Sequence, residues 1–244
     1  MSISNENSTS LNKYISDSGF CSRREADVII KAGRVTINGV IASPGNRVAD
    51  GDEVLLDGKE IGDKPKEVYI ALNKPVGITC TTDMRVAGNI IEYMDYHERI
   101  FPIGRLDKPS EGLILLTNDG NIVNKILRAT NNHEKEYIVE VNRPITKAFV
   151  MKMGAGVDLP ELETTTRKCH VERVGKFKFK IILTQGLNRQ IRRMCEQLGF
   201  RVLTLKRLRI MNIKLDRLAT GDWRHLTYQE MKQLNKLLKG SVKN

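Results

Sequence analysis

Cysteine is scarce in this sequence, and its four copies stand far apart at Cys21, Cys80, Cys169 and Cys195. No two of them form a CxxC pair, and none is spaced from a histidine in the manner of a zinc site. The scatter excludes a disulfide framework and a metal centre with sequential ligands. We expect reduced, structural thiols, as in a cytosolic protein, and neither a metal ion nor a disulfide.

Long apolar runs are also missing. No stretch approaches the roughly 18 residues that a membrane-spanning helix needs, and the first ten residues, MSISNENSTS, lack the apolar core of a signal peptide. These absences predict a cytoplasmic protein without a membrane partner. Residues 1–10 are predicted to be a disordered N-terminus. Because no repeat or oligomerisation pattern can be found, we expect a monomer.

Positive charge is present in excess: 40 Lys and Arg stand against 29 Asp and Glu, a formal net charge of +11. The excess is uneven, because 20 of the basic residues but only 7 of the acidic ones lie from Pro160 onward. Such a balance indicates a polyanionic partner. A chain of 244 residues, 40% of them hydrophobic, can bury the core of one large domain and leaves room for a small one.

Residues 11–62 predict a small domain of two helices followed by a short sheet. Leu11 and Ile15 lie one helical turn apart, which predicts a first helix. Ser22 and Glu25 form an S-x-x-E capping box, which predicts the start of a second helix. Beyond that helix the apolar residues alternate with polar ones, as in strands.

The predicted second helix and its end carry a group of basic side chains. Asn38 and Gly39 then give a strong signal for a tight turn between two strands. The basic group could contact RNA phosphates, or it could be an ordinary solvated face, and these residues alone leave both interpretations open. Its members are Arg23, Arg24, Lys31 and Arg34.

Residues 58–67, GKEIGDKPKE, are polar and contain glycine and proline, so they predict a linker. We place the domain boundary inside it and assign residues 63–244 to a second, larger domain. Apolar runs typical of strands occur there together with segments of helical periodicity, so we expect both strands and helices in this domain. The predicted strands cover residues 68–72, 113–117, 137–141 and 176–184. One helix is predicted at residues 90–94, and others follow Asp119, Pro144, Gly186 and Thr227.

The segment FPIGRLDKPSEGLILLT, residues 101–117, places one carboxylate between two cations in a loop before a buried strand. Asp107 is that carboxylate, and Arg105 and Lys108 flank it. Such a group is ordinarily a surface ion pair. At the mouth of a buried strand it is also a plausible reaction centre.

Other basic residues are candidates for contact with a polyanion. Near the start of one predicted helix, GLNRQIRRM brings three guanidinium groups together, where the helix dipole also favours an anion. A basic strand follows and would suit the wall of an RNA groove, while a lysine after the first strand of the domain could touch RNA or simply solubilise its loop. These residues are Arg189, Arg192 and Arg193, then Lys206, Arg207 and Arg209, and Lys74.

Four of these stretches resemble the motifs of pseudouridine synthases. GRLDKPSEGL is similar to that family's GRLDxxSxGL signature. LNKPVGI before it, and EKEYIV and GLNRQIRRM after it, resemble further motifs of the family and occur in the family's order. The N-terminal segment resembles an S4 RNA-binding domain. The resemblance implies an α+β fold, in which a small S4 domain is followed by a catalytic domain with a mixed, largely antiparallel sheet. The nearest branch is the one that modifies large-subunit ribosomal RNA.

The resemblance also implies roles for four side chains. Asp107 matches the family's nucleophile, and Arg192 matches the cation expected to pair with it. Tyr137 matches the KxY element and would stack on the flipped base and remove the proton at carbon 5. Leu183 would pack beneath the base. The isomerisation changes no oxidation state, so neither a redox cofactor nor a metal is expected.

The implied substrate is a uridine in large-subunit ribosomal RNA, with tRNA as a possible second partner. The motifs do not separate this from a synthase acting on tRNA or small-subunit ribosomal RNA. A non-catalytic S4 assembly factor is a further alternative. A retaining glycoside hydrolase would need a second carboxylate about 5 Å from the first, for which Glu111 is the nearby candidate in the sequence.

Overall fold

The computed structural model describes residues 8–241 of the chain. Two short amphipathic helices lie near the start of this range. They are α1 (Leu11–Asp17) and α2 (Arg23–Lys31), and both capping-box hydrogen bonds between Ser22 and Glu25 are formed. Leu11, Ile15, Ala26 and Ile30 are buried, so both helices and the predicted cap are confirmed.

A small antiparallel sheet follows the helices. Asn38 and Gly39 both have positive φ, the conformation of a two-residue type I′ turn, and they join the first two strands as predicted. Val35, Val54 and Leu56 pack against the helices to form a core. The strands are β2 (Val35–Ile37), β3 (Val40–Ile41), β5 (Val54–Leu56) and β6 (Lys59–Glu60), in the order β3-β2-β5-β6.

A separate two-stranded sheet in this region corrects one prediction. Strand β1 (Thr9–Ser10) pairs with β4 (Arg47–Val48), and Leu11 N–H donates to Asn46 O at 2.9 Å. The end of the predicted disordered segment is therefore ordered, because its backbone groups find partners in a strand that no local pattern reveals. The rest of that segment, residues 1–7, lies outside the described residues.

Contacts divide the chain after Glu67, with His97–Arg99 belonging to the N-terminal unit. The predicted linker is partly structured, since β6 lies inside it. We retain 11–62 and 63–244 as the proposed domain limits. None of the helices within residues 8–241 is both long enough and apolar enough to cross a membrane.

The larger unit contains a mixed, mostly antiparallel sheet, as the family resemblance implied. Helices cover both faces of this sheet. Its strands are β7 (Tyr69–Lys74), β8 (Phe101–Ile103), β9 (Glu111–Thr117), β10 (Lys135–Val141), β11 (Asp158–Leu159), β12 (Thr164–Thr165), β13 (His170–Arg173), β14 (Lys178–Leu183), β15 (Val202–Ile210), β16 (Ile213–Lys214) and β17 (Trp223–His225). Its helices are α3 (Ile90–Met94), α4 (Gly120–Leu127), α5 (Lys147–Ala155), α6 (Gln190–Gln197) and α7 (Tyr228–Leu237). The main sheet has the order β13-β14-β10-β15-β9-β7-β17, and β9 and β15 run parallel.

Alternate residues of β9 face two separate cores. Ile114 and Leu116 belong to the core that includes residues of α3, α5 and α6, while Leu113 and Leu115 belong to the core with α4 and α7. A strand covered on both faces needs an unbroken apolar run, which explains the sequence LILL. The loop that carries Asp107 is thereby anchored to the most buried strand of the unit.

Gly112 is required where β9 meets β15. It adopts φ +104°, and a Cβ added there would lie 2.3 Å from the Arg207 carbonyl oxygen. We expect Gly112→Ala to lower the free energy of unfolding by at least about 2 kcal/mol, since it combines backbone strain with a clash against rigid backbone. Urea unfolding followed by circular dichroism measures this. Gly120→Ala, with no atom within 4 Å of its added Cβ, is the control; equal unfolding midpoints for the two variants would contradict the prediction.

Candidate active site

The loop between β8 and β9, residues 104–110, presents Asp107 to a cavity of about 480 Å³. Ser110 N–H donates to Asp107 O at 2.9 Å, and Gly77 N–H donates to Lys108 O at 2.8 Å. These bonds fix the turn around Asp107. Its side chain is 31% exposed, so the carboxylate is held in place yet reachable from solvent.

Two arginines of GLNRQIRRM approach the carboxylate. Arg192 Nε lies 3.6 Å and Arg189 Nη1 lies 3.7 Å from Asp107 Oδ2. Arg189 is the residue before α6 and is exposed, whereas Arg192 is in the first turn of the helix and its side chain is only 8% exposed. Arg193 turns away and pairs with Glu161 instead. The structure thus brings two of the three predicted guanidinium groups to Asp107.

Arg192 is bound to the same loop that carries the carboxylate. Its Nη2 donates to Ser110 Oγ at 3.0 Å and to Pro109 O at 3.2 Å. Burial lowers the pKa of this guanidinium and neighbouring Arg189 lowers it further, while Asp107 opposes the shift. Even so, an arginine stays protonated at neutral pH. A buried permanent cation therefore faces a partly exposed carboxylate.

Strands β10 and β14 contribute the two other residues with predicted roles. Tyr137 and Leu183 are both buried and both line the cavity. Arg207 on the neighbouring strand β15 is the register partner of Tyr137, and its Cζ lies 6.0 Å from the centroid of the tyrosine ring. All four predicted catalytic residues therefore share one cavity.

Sequence reasoning missed Lys135, a buried lysine that also lines this cavity. Burial and the charge of Arg207 lower its pKa to about 8. The signal was present, because Lys135 and Tyr137 lie two residues apart on a strand and so point to the same face. Ser110 and Cys80 also line the cavity without having been predicted.

Lys74 was predicted as a possible RNA contact, and this was wrong. Its side chain is fully buried, and Nζ donates to Pro75 O at 2.8 Å and Ile78 O at 2.9 Å. Burial lowers the pKa of this amine. The lysine holds the loop after β7 by donating hydrogen bonds to its carbonyl oxygens, so its role is structural.

The basic strand also departs from its prediction as the wall of a groove. Arg207 is buried in the cavity, and Arg209 is bound by Glu134 and Glu136 at 2.9 and 3.0 Å. Lys206 lies 4.0 Å from Glu111. The correction has a topological cause: β15 lies inside the sheet between β10 and β9, so neighbouring strands flank it on both sides and it does not form an open wall.

The remaining predicted RNA contacts are accessible. Arg105 and Lys108 are exposed at the cavity, on either side of Asp107. In the N-terminal unit Arg23, Arg24 and Lys31 are exposed. Arg34 is exposed too, although Asp57 accepts a hydrogen bond from its Nε at 3.0 Å.

The glycoside hydrolase alternative requires a second carboxylate at this cavity. Glu111 is not among the residues that line the cavity. Within residues 8–241, no cluster of three or more His, Cys, Asp or Glu side chains is arranged to hold a metal ion. The cavity therefore offers a single carboxylate, two arginines facing it, and a floor that contains a tyrosine.

Comparison with known proteins places these features in a family. The model of the RNA pseudouridylate synthase family matches residues 68–197, and the model of the S4 domain matches residues 9–54. The chain is 55% identical over 240 residues to the dual-specificity RNA pseudouridine synthase RluF of Salmonella typhi, covering 97% of this chain and 82% of the relative. It is 34% identical over 234 residues to the ribosomal large subunit pseudouridine synthase B of Bacillus subtilis, covering 93% and 96%.

A solved structure agrees with this placement. A crystal structure of a pseudouridylate synthase matches with a TM-score of 0.69 at 28% identity, covering 93% of this chain and 99% of that one. The sheet, the S4 unit and the order of the motifs thus have a common explanation. This chain belongs to the RNA pseudouridine synthase family, and an S4 domain precedes its synthase domain.

Proposed function

We propose that this enzyme converts a specific uridine of large-subunit (23S) ribosomal RNA into pseudouridine, with Asp107 as the nucleophile. One observation carries the assignment: Asp107 stands at a cavity with Arg189 and Arg192 against its carboxylate and Tyr137 on the floor. The relatives named above support the choice of RNA, since one of them is named for the ribosomal large subunit.

The reaction breaks the bond from C1′ to N1, turns the detached base and joins its C5 to C1′. Asp107 must be ionised to attack either the sugar or the base. Arg192 and Arg189 stabilise the carboxylate and orient it towards the cavity. Because Arg192 also binds Ser110 and Pro109, the cation and the loop of the nucleophile are held as one unit.

Tyr137 and Leu183 are proposed to hold the base inside the cavity. Leu183 offers an apolar surface to one part of the ring, and Tyr137 stacks on it and is the candidate that removes the C5 proton. Both lie within the domain, so the target must leave its helical stack. Flipping costs a few kcal/mol in a duplex and less in a loop or bulge, which predicts an exposed uridine in a structured RNA.

The S4 unit is proposed to hold the RNA by its phosphates. We expect Arg23→Ala combined with Arg24→Ala to leave kcat nearly unchanged while KM rises about tenfold, because phosphate contacts position the RNA without chemistry. The slope of log affinity against log salt should become less negative by about 1.5, from two lost phosphate contacts. Filter binding at several salt concentrations measures the slope. Lys59→Ala, an exposed cation on β6, is the control; an unchanged slope in the double variant would contradict the assignment.

The function is tested by mapping pseudouridine in three RNAs. Purified protein is incubated without added cofactor with unmodified large-subunit ribosomal RNA, small-subunit ribosomal RNA and tRNA, and sites are mapped by carbodiimide modification and primer extension. We expect a site in the large-subunit RNA. A second site in tRNA would fit the word dual-specificity in the relatives' name. Product in the small-subunit RNA alone would overturn the proposed substrate.

Two further outcomes distinguish the remaining alternatives. Tight RNA binding with no pseudouridine in any of the three RNAs would favour the assembly-factor hypothesis. We propose a monomer as the active form, because the proposed catalytic groups all come from one chain. Activity that falls on dilution together with dissociation of a dimer, measured by analytical ultracentrifugation, would overturn that proposal.

A further inference from the structure

We propose that Lys135 and Arg207 form a cationic subsite that binds the carbonyl oxygens of the target uracil and stabilises the negative charge this base carries once its glycosidic bond is broken. The inference rests on the proposed function. It adds two residues to the chemistry, both on strands that form the floor of the cavity and neither facing Asp107 in an ion pair.

The two cations are placed together by sheet register. Lys135 begins β10 and Arg207 lies in β15, the neighbouring strand, opposite Tyr137. Lys135 is also the register partner of Leu183 on the other side. Lys135 is 7% exposed and Arg207 is 4% exposed, yet both line the cavity. The subsite therefore surrounds the position proposed for the base.

Neither cation has an acidic partner. In the described part of the chain no carboxylate oxygen lies within 4.0 Å of a side-chain nitrogen of Lys135 or Arg207. Among the described residues, Lys135 Nζ donates to His133 O alone, at 3.2 Å, and Arg207 Nε donates to Leu113 O at 2.6 Å. Arg207 Nη2 is buried without a hydrogen-bond partner among residues 8–241. Hydrogen-bond donors thus remain unused on two buried positive charges.

Burying a cation without a counter-ion is unfavourable, and two neighbouring cations make it more so. The lowered pKa of Lys135, caused by burial and then by Arg207, reflects this cost. With a pKa of about 8 the amine is still mostly protonated at neutral pH. An arrangement this unfavourable in the free enzyme becomes favourable when an anion enters the cavity.

The base is the anion that fits this position. Leu183, Leu205 and Ile210 give the same part of the cavity an apolar lining, which suits a flat ring better than a hydrated phosphate. Arg105 and Lys108, the exposed cations of the cavity, are better placed for the backbone phosphates. The interior pair is left for the uracil oxygens.

The chemistry supplies the negative charge. If Asp107 attacks C1′, its oxygen forms a bond to C1′ while the electron pair of the C1′–N1 bond passes to the base, whose charge spreads over N1, O2 and O4. C5 then displaces Asp107 from C1′, the C5 proton leaves and N1 gains a proton. If Asp107 instead adds to C6, the electron pair of the C5=C6 bond moves onto O4. The C1′–N1 bond then breaks, C5 bonds to C1′, the C5 proton leaves while the bond from Asp107 to C6 breaks to restore C5=C6, and N1 gains a proton. On either route, donors fixed at the base oxygens stabilise the charged species.

The test compares uridine with 5-fluorouridine at the mapped target. Fluorine withdraws electrons and makes the uracil anion more stable, so the base depends less on protein cations. We expect Lys135→Met to slow the single-turnover conversion of uridine about 100-fold. The same substitution should slow the disappearance of 5-fluorouridine by less than about tenfold. The nucleosides are separated by chromatography after digestion of the RNA. Lys180→Met, a lysine of β14 paired with Glu172 outside the cavity, is the matched control and should keep the wild-type rate on both substrates.

Folding is checked separately from charge. Lys135→Met should melt no lower than wild type at pH 7, because it removes an unpaired buried cation and keeps the alkyl chain. If Lys135→Met melts at a lower temperature than wild type, Lys135→Arg distinguishes loss of charge from loss of folding. This variant retains the charge and should keep the rate on uridine within about tenfold of wild type. A Lys135→Arg rate as low as that of Lys135→Met would overturn the proposal.

Two more results would overturn the subsite. The first is an unchanged uridine rate in Lys135→Met, and the second is equal slowing of uridine and 5-fluorouridine, which would point to a phosphate contact or a packing role. Both require a wild-type enzyme that forms pseudouridine in the same RNA. Absence of product with wild type would instead be a failure of the proposed function, so the two failures are distinguishable.

Discussion

Asp107→Asn should reduce pseudouridine formation by at least about 10⁴-fold, since loss of a nucleophile removes the covalent route and leaves only binding. The amide has nearly the same shape but neither the charge nor the nucleophilicity of a carboxylate. RNA affinity should stay within about threefold of wild type, because the affinity comes mainly from basic side chains that bind RNA phosphates. Single-turnover assays on the mapped RNA, with filter binding in parallel, measure both quantities.

Glu111→Gln is the matched control for this substitution. Glu111 is the neighbouring carboxylate, four residues along the chain, but it lies outside the cavity and near Lys206. We expect its amide variant to keep the rate within about tenfold, because a rim ion pair contributes little. Wild-type turnover in Asp107→Asn would overturn the nucleophile assignment. A complete loss in Glu111→Gln would revive a mechanism with two carboxylates.

Arg192→Met should lower the single-turnover rate by about 10²- to 10³-fold, the range for removal of a preorganised charged group beside the reacting atoms. The substitution removes the buried cation 3.6 Å from Asp107 and also its bonds to Pro109 and Ser110. The carboxylate then loses both its charge partner and its orientation. RNA affinity should change little, since the side chain is only 8% exposed.

Arg192→Lys separates charge from geometry. Lysine keeps the positive charge, but it lacks the planar fork that reaches Asp107 and Ser110 together, so an intermediate rate is expected. Arg173→Met, on strand β13 outside the cavity, serves as the control. If Arg192→Met keeps the wild-type rate, the pairing role passes to Arg189, whose Nη1 lies 3.7 Å from the same oxygen.

Local sequence signals predicted the parts of the fold that depend on neighbouring residues. The capping boxes at Ser22 and Thr227, the Asn38-Gly39 turn and the apolar run of β9 are all present in the structure. Caps and turns are formed by groups a few residues apart, so their residues can be recognised in the chain. The strand at Thr9–Ser10 was not recognised, because its partner is distant in sequence.

The basic residues show where local reasoning fails. Three basic residues were predicted to contact RNA but have other roles in the structure. Lys74 binds loop carbonyl oxygens, Arg207 lines the cavity and Arg209 pairs with two glutamates. Their positions depend on which strands flank β7 and β15. Strand order joins segments far apart along the chain, and charge alone does not reveal it.

By itself, the sequence determined the family, the order of an S4 domain and a catalytic domain, and the motifs that carry Asp107, Tyr137 and Arg192. Each of those motifs is a short stretch of consecutive residues, so it can be recognised in the sequence without knowledge of the tertiary structure. Only the tertiary structure decided which of three arginines face the carboxylate. It alone also showed that Lys135 and Arg207 line the same cavity without a carboxylate partner among the described residues. Burial and pairing are properties of residues that meet in space, and the packing of β10, β14, β15 and α6 brings them together.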